Sequence, residues 1–287
     1  MESRMSNALS RELGDALRQA RRRSDVRTGT LIEELGWSAG KLSKLEGGTR
    51  GTSPVDIARF VGHLRADPDT FDHIMGLAQE PTTGHYVRPH GVAMPDSLRM
   101  LIIHERSAKT IRSYQTIVVP GLLQTRDYAA ALMDGAPGAE DAVADRMARQ
   151  AIFDEPSPPK GMFFLYEAAL HRMVGGPQVM YEQMLQLLFR GGVRLIPFTA
   201  VLPRSLNTPF THMTFADYTP VTYVECGQVS LFLDTFEATR AYQQSCHDLA
   251  RVALTEEQSR SAFARWADRF DRLREARGAT TAGGEVA

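Results

Sequence analysis

The strongest constraint on this chain lies between Thr28 and Glu46. Two short apolar-periodic segments are separated there only by Gly36-Trp37-Ser38. Two-turn helices are marginal on their own, so each must bury its apolar face against a neighbour. Counting from Thr28 as position one, Ile32 is fifth, Gly36 ninth, Leu42 fifteenth and Leu45 eighteenth. The ninth residue has to turn the chain, and glycine takes a left-handed conformation there without steric cost. The fifth, fifteenth and eighteenth fill the angle between two steeply crossing helices. Ser38 is placed to cap the second helix. Its remaining residues, Ala39, Gly40, Lys41, Ser43 and Lys44, face outward. This is the spacing of a helix-turn-helix.

The flanking sequence extends the pattern. Leu9, Leu13, Ala16, Leu17 and Ala20 form one stripe of a predicted helix over residues 9–23. Ser53-Pro54 and Asp67-Pro68 are cap-plus-proline starts of two more helices. Residues 1–80 therefore read as an all-α domain of about five helices. The whole chain is nearly neutral, with 33 Lys+Arg against 34 Asp+Glu and a net charge of −1, which excludes a polycationic protein. Only residues 1–50 are clearly basic, with ten cations against seven carboxylates. Arg18, Arg21, Arg22, Arg23, Arg27, Lys41, Lys44 and Arg50 are prominent in that block. Arg21 to Arg23 suit a solvated helix end, where cations complement the dipole. Gly36, Gly40 and Lys41 mimic a phosphate-binding loop. The spacing fails, because three residues separate the glycines and Leu42 stands where Ser or Thr is needed.

Residues 9–64, and above all the run from Leu35 to Glu46, resemble the XRE-type, lambda-repressor-like helix-turn-helix domain. Ile32 is larger than the usual fifth residue, and Thr28 stands where glutamine is common. The resemblance implies a recognition helix over residues 38–46 that enters the major groove of double-stranded DNA. Lys41 and Lys44 are then the long donors for guanine edges or phosphate. Ser38, Ala39, Gly40 and Ser43 are short residues for close contacts. Arg27 and Arg50 are placed toward the DNA backbone, and Thr28 holds the position where the family commonly contacts phosphate and base.

The rest of the chain has a different character. Residues 81–95, rich in proline, glycine, threonine and histidine, read as a linker. Residues 96–278 read as an α+β domain with a small mixed sheet, and residues 279–287 as a disordered tail. Residues 162–166 and 193–196 are buried strands flanking a helix that starts at Pro177, a parallel βαβ unit. Residues 210–215, 221–225 and 229–233 are short strands, the last two joined at Cys226-Gly227. Thr255 and Gln258 form a capping box for a final helix that should stop at Gly278. The run from Val118 to Thr125 with Tyr128, and the segments at residues 167–172 and 180–184, resemble a domain of unknown function. That domain follows an XRE-type domain in the WhiJ-like group of actinobacterial regulators. The resemblance implies a small protein partner encoded nearby.

Catalysis is not expected. No histidine or cysteine pair has metal-ligand spacing, and no nucleophile elbow or dinucleotide loop is present. Neither a metal nor a cofactor is called for. Glu167, His171 and Arg172 flank a strand and are the candidate lining of a ligand or partner pocket. Two cysteines, Cys226 and Cys246, suit a reduced cytoplasmic chain. No signal peptide or membrane span is evident. The expectation is a cytoplasmic transcriptional regulator that binds DNA as a homodimer. The alternative is an antitoxin-like protein that holds a small partner and autoregulates its operon.

Overall fold

The computed structural model describes residues 6–49, 53–89, 96–203, 206 and 208–282. The elements run α1 (Ala8–Arg23), α2 (Thr28–Leu35), α3 (Ala39–Glu46), α4 (Pro54–His63), α5 (Pro68–Gln79), β1 (His85–Pro89), α6 (Asp96–Ser107) and β2 (Thr110–Gln115). They continue with α7 (Arg126–Met133), α8 (Ala139–Gln150), β3 (Lys160–Tyr166), α9 (Ala168–His171), α10 (Pro177–Phe189), β4 (Val193–Ile196), β5 (Phe210–Thr214), β6 (Val221–Cys226), β7 (Val229–Leu233), α11 (Phe236–Val252) and α12 (Glu256–Ala282). The fold class is the expected one: a helical N-terminal region followed by an α+β region whose strands pair in both senses. Among the described residues no helix is long and apolar enough to cross a membrane.

The chain divides into two compact units. The first holds Met1–His90, Asp96–Ser107 and Thr214–Thr239. Side-chain caps start its helices: Asn7 for α1, Ser38 for α3, Ser53 for α4 and Asp67 for α5. Leu17, Leu31, Ile57, Phe60 and Ile74 form its fully buried centre. Trp37 stacks on Phe60 with centroids 5.8 Å apart. The backbone of α1 meets the end of α3 at very short range. A Cβ at Gly14 would lie 2.7 Å from the Leu45 carbonyl oxygen and 2.8 Å from that of Glu46. Gly48, at φ +65°, fits the same contact from the other side, where a Cβ would meet the Ser10 carbonyl oxygen at 2.6 Å.

The span expected to be a linker, residues 81–95, contains strand β1, which pairs antiparallel with β7 from His85↔Leu233 to Pro89↔Val229. Residues 90–95 of that span lie outside the described residues. The strand escapes a reading by hydrophobic alternation because one of its two buried positions is Arg88. The Arg88 guanidinium donates to Glu12 at 3.0 Å and Glu80 at 2.8 Å. Pairing of β1, β7 and β6 also explains why residues 96–278 are not one continuous unit. Nearby, Arg11 is buried against the rings of Phe215 and Tyr218 and shares a hydrogen bond with His104 at 3.2 Å.

The second unit holds Ala108–Met213 and Arg240–Ala287. Strands β2, β3 and β4 pair in parallel, and α10 makes the crossover from β3 to β4. Helices α10 and α12 pack on each other, and Phe263 of α12 is fully buried. Thr255 and Gln258 form the expected capping box, exchanging bonds of 3.0 and 3.2 Å. The helix does not stop at Gly278 but runs on to Ala282. A glycine within a helix costs only about 1 kcal/mol relative to alanine, too little to end one already under way. Residues 283–287 of the expected tail lie outside the described residues. Cys226 is exposed, Cys246 is buried, and both are free.

Two tests follow from this packing. Gly14→Ala should destabilise the chain by about 1–3 kcal/mol, because the added methyl meets backbone that cannot rotate away; an unchanged urea midpoint would refute the close contact. Burial, reinforced by Arg11, lowers the His104 pKa from 6.5 to about 3. Burial and Arg112 lower that of His212 to about 4. A histidine held neutral when folded takes up a proton more readily when unfolded. Its contribution is thus complete above the unfolded value and is lost as pH falls toward the folded one. Urea melts should show stability dropping from about pH 7 to about pH 5. His104→Gln should flatten that slope, and an undiminished slope would count against the assignment.

Candidate nucleic-acid interface

Helices α2 and α3 meet at the expected turn. Gly36 takes φ +66°, and the Trp37 N–H donates to the Ile32 carbonyl at 2.8 Å, closing the end of α2. Ser38 then caps α3 by accepting from the Lys41 N–H at 3.1 Å. Leu42 and Leu45 are buried and Ile32 is half-buried against the same core. Ser38, Ala39, Gly40, Ser43 and Lys44 are all exposed, on one side of α3. A Cβ at Gly40 would touch only the Ser38 hydroxyl, at 3.9 Å. The fold itself therefore has no need of glycine at that position.

Lys41 is placed differently from its neighbours. Its ammonium donates to Asp56 at 3.1 Å and lies 4.1 Å from the centre of the Trp37 ring. It is half-buried, and its charge is already shared within the domain. Lys44, one turn further on, is the exposed cation of the helix. Arg27 and Thr28 are exposed at the start of α2, where the Thr28 hydroxyl accepts from Arg21 at 3.2 Å. Arg50 lies outside the described residues.

The basic end of α1 is only partly solvated. Arg22 and Arg23 are exposed, whereas Arg21 grips the Glu46 carboxylate through two bonds of 2.6 and 3.0 Å. Arg18 donates to the Glu46 backbone carbonyl. A carboxylate at the last turn of a helix opposes the helix dipole, and the forked guanidinium offsets that cost. The bond to Glu46 also raises the Arg21 pKa further. These two arginines fasten α3 to α1. The sequence hides this pairing, because Arg21 and Glu46 belong to different helices and neither lies in a local motif.

In the second unit, Glu167 lines a cavity of about 310 Å³, and its carboxylate accepts from the Phe198 N–H at 2.8 Å. His171 is exposed and does not line the cavity, but its ring stands nearly perpendicular to that of Trp266, 4.7 Å between ring centres. Arg172 is exposed and does not line the cavity. Among the described residues no group of three His, Cys, Asp or Glu side chains is placed to hold a metal ion.

The geometry of α2, the turn and α3 defines a helix-turn-helix protein, and residues 12–74 match the family described as a helix-turn-helix domain. Residues 98–265, more than half of the chain, match a domain of unknown function, DUF5753, and the chain belongs to that family. No curated protein matches the chain. A solved structure of TrmBL2, an archaeal chromatin protein described as showing a novel mode of DNA binding, is 11% identical. The match covers 77% of this chain and 78% of that one at a TM-score of 0.30, a likeness too loose to carry an argument.

Proposed function

We propose that this protein is a sequence-specific, DNA-binding transcriptional regulator of the XRE type, allied to the WhiJ-like group. The single observation that carries the reading is the exposed face of α3: Ser38, Ala39, Gly40, Ser43 and Lys44 stand clear of the domain while Leu42 and Leu45 hold the helix to it. A helix presented in this way fits a major groove, and its first-turn N–H groups suit phosphate. Gly40 supports the reading, since a residue the fold does not require permits a close approach of backbone to a partner. Lys44 is the base-reading donor in this proposal. Lys41 acts chiefly through its Asp56 contact, and Arg27 and Thr28 lie toward phosphate.

One helix-turn-helix buries little surface for tight, specific binding, so two copies reading half-sites one helical turn apart are proposed. The second unit serves dimerisation and effector or partner binding in this scheme. No step of it requires catalysis.

Genome-wide mapping of bound DNA yields the operator and its symmetry, and purified protein that ignores every duplex at low salt would overturn the reading. On the mapped operator, Lys44→Ala should weaken binding by about 1–3 kcal/mol and relax preference at one base pair. A uniform loss across sequences with a shallower salt dependence would instead assign Lys44 to phosphate. Light scattering of the operator complex should give two chains per duplex, and a single chain would refute the dimer.

A further inference from the structure

We infer that the cavity beside Trp266 in the second unit is a binding site for a small organic anion with a flat apolar body. This deepens the effector reading proposed above by naming the class of ligand, and it rests on that reading. Arg265, Arg269 and Arg272 of α12 all line the cavity, together with Trp266. At spacings of four and three residues they share one face of the helix. All three are exposed, and among the described residues none has a carboxylate within ion-pair distance. Asp268 and Asp271 stand between them on the helix, but Asp271 pairs with Arg274, so the three guanidinium groups remain available to an anion.

The opposite wall is apolar, with Leu195, Pro197 and Leu254 contributing to it, while Trp266 stands among the arginines on α12 with its ring half-buried. The Arg269 guanidinium lies 4.7 Å from the centre of that ring, His171 stands nearly perpendicular to it at 4.7 Å, and Phe270 packs beside it at 5.6 Å between ring centres. Phe198, half exposed, packs against His171 at 5.0 Å between ring centres. The one carboxylate in the lining, Glu167, has an oxygen committed to the Phe198 N–H. The volume of about 310 Å³ is at the small end for ligand pockets. A flat ring laid between Trp266 and the Leu195, Pro197 and Leu254 side chains, with its carboxylate or phosphate forked by two arginines, uses both walls at once.

The test compares 2-naphthoate with the uncharged 2-naphthamide by calorimetry on the full chain. Naphthoate should bind once per chain, at least about tenfold more tightly than the amide, which is the scale of a charge-assisted bond. The double variant Arg265→Gln/Arg269→Gln, altered only at exposed side chains, should bind the two equally. Trp266→Ala should weaken both. Equal affinity of acid and amide for the unaltered chain, naphthoate binding that survives the double variant, or no binding of either probe would each overturn the site. Operator binding by the double variant, measured without probe, should be unchanged. A chain that binds naphthoate but no duplex keeps this site while the regulator reading fails.

Discussion

The first unit depends on the place where the backbone of α1 touches the end of α3. Gly14 and Gly48 remove the side chains that would hold the two apart, and Arg18 and Arg21 then reach Glu46. The result is that α3 is fastened at its C-terminal end while its first turn stays exposed. A surface held rigid before it meets a partner loses less freedom on binding than one that must be ordered. Trp37 stacked on Phe60 supports the turn from below, so the attitude of α3 is set at both of its ends.

That α3 is clamped also explains the different situations of its two lysines. Lys41 lies on the side that faces α4, within reach of the Asp56 carboxylate. Lys44 lies on the side that faces away. Spacing along one helix gives both residues the same outward assignment, since the pattern of apolar positions describes which residues are inside and not what stands next to those outside. Only the neighbouring helix decides the matter.

The parts of the fold that were legible in the sequence are those encoded locally. The turn at Gly36, the caps at Ser53-Pro54 and Asp67-Pro68, and the box formed by Thr255 and Gln258 each depend on residues within one or two turns of each other. What could not be read is encoded at long range. Strand β1 looks like linker because its buried arginine is compensated by two glutamates from other elements. The first unit recruits residues from far along the chain, which no composition boundary can reveal. Of the pocket residues, Glu167 was found because it adjoins a buried strand. The arginines of α12 were not, since a charged stripe on a helix reads as a solvated face until the wall opposite it is known.

The two tryptophans have a further consequence. Trp37 sits under a lysine in the first unit, and Trp266 sits beside an arginine and a histidine in the second. Each compact body thus contains one tryptophan next to an ionic group, and the emission of each indole is sensitive to the position of that group. The molecule carries its own pair of optical gauges, one for each half, and replacing either indole leaves the other to report on its own half without an attached dye.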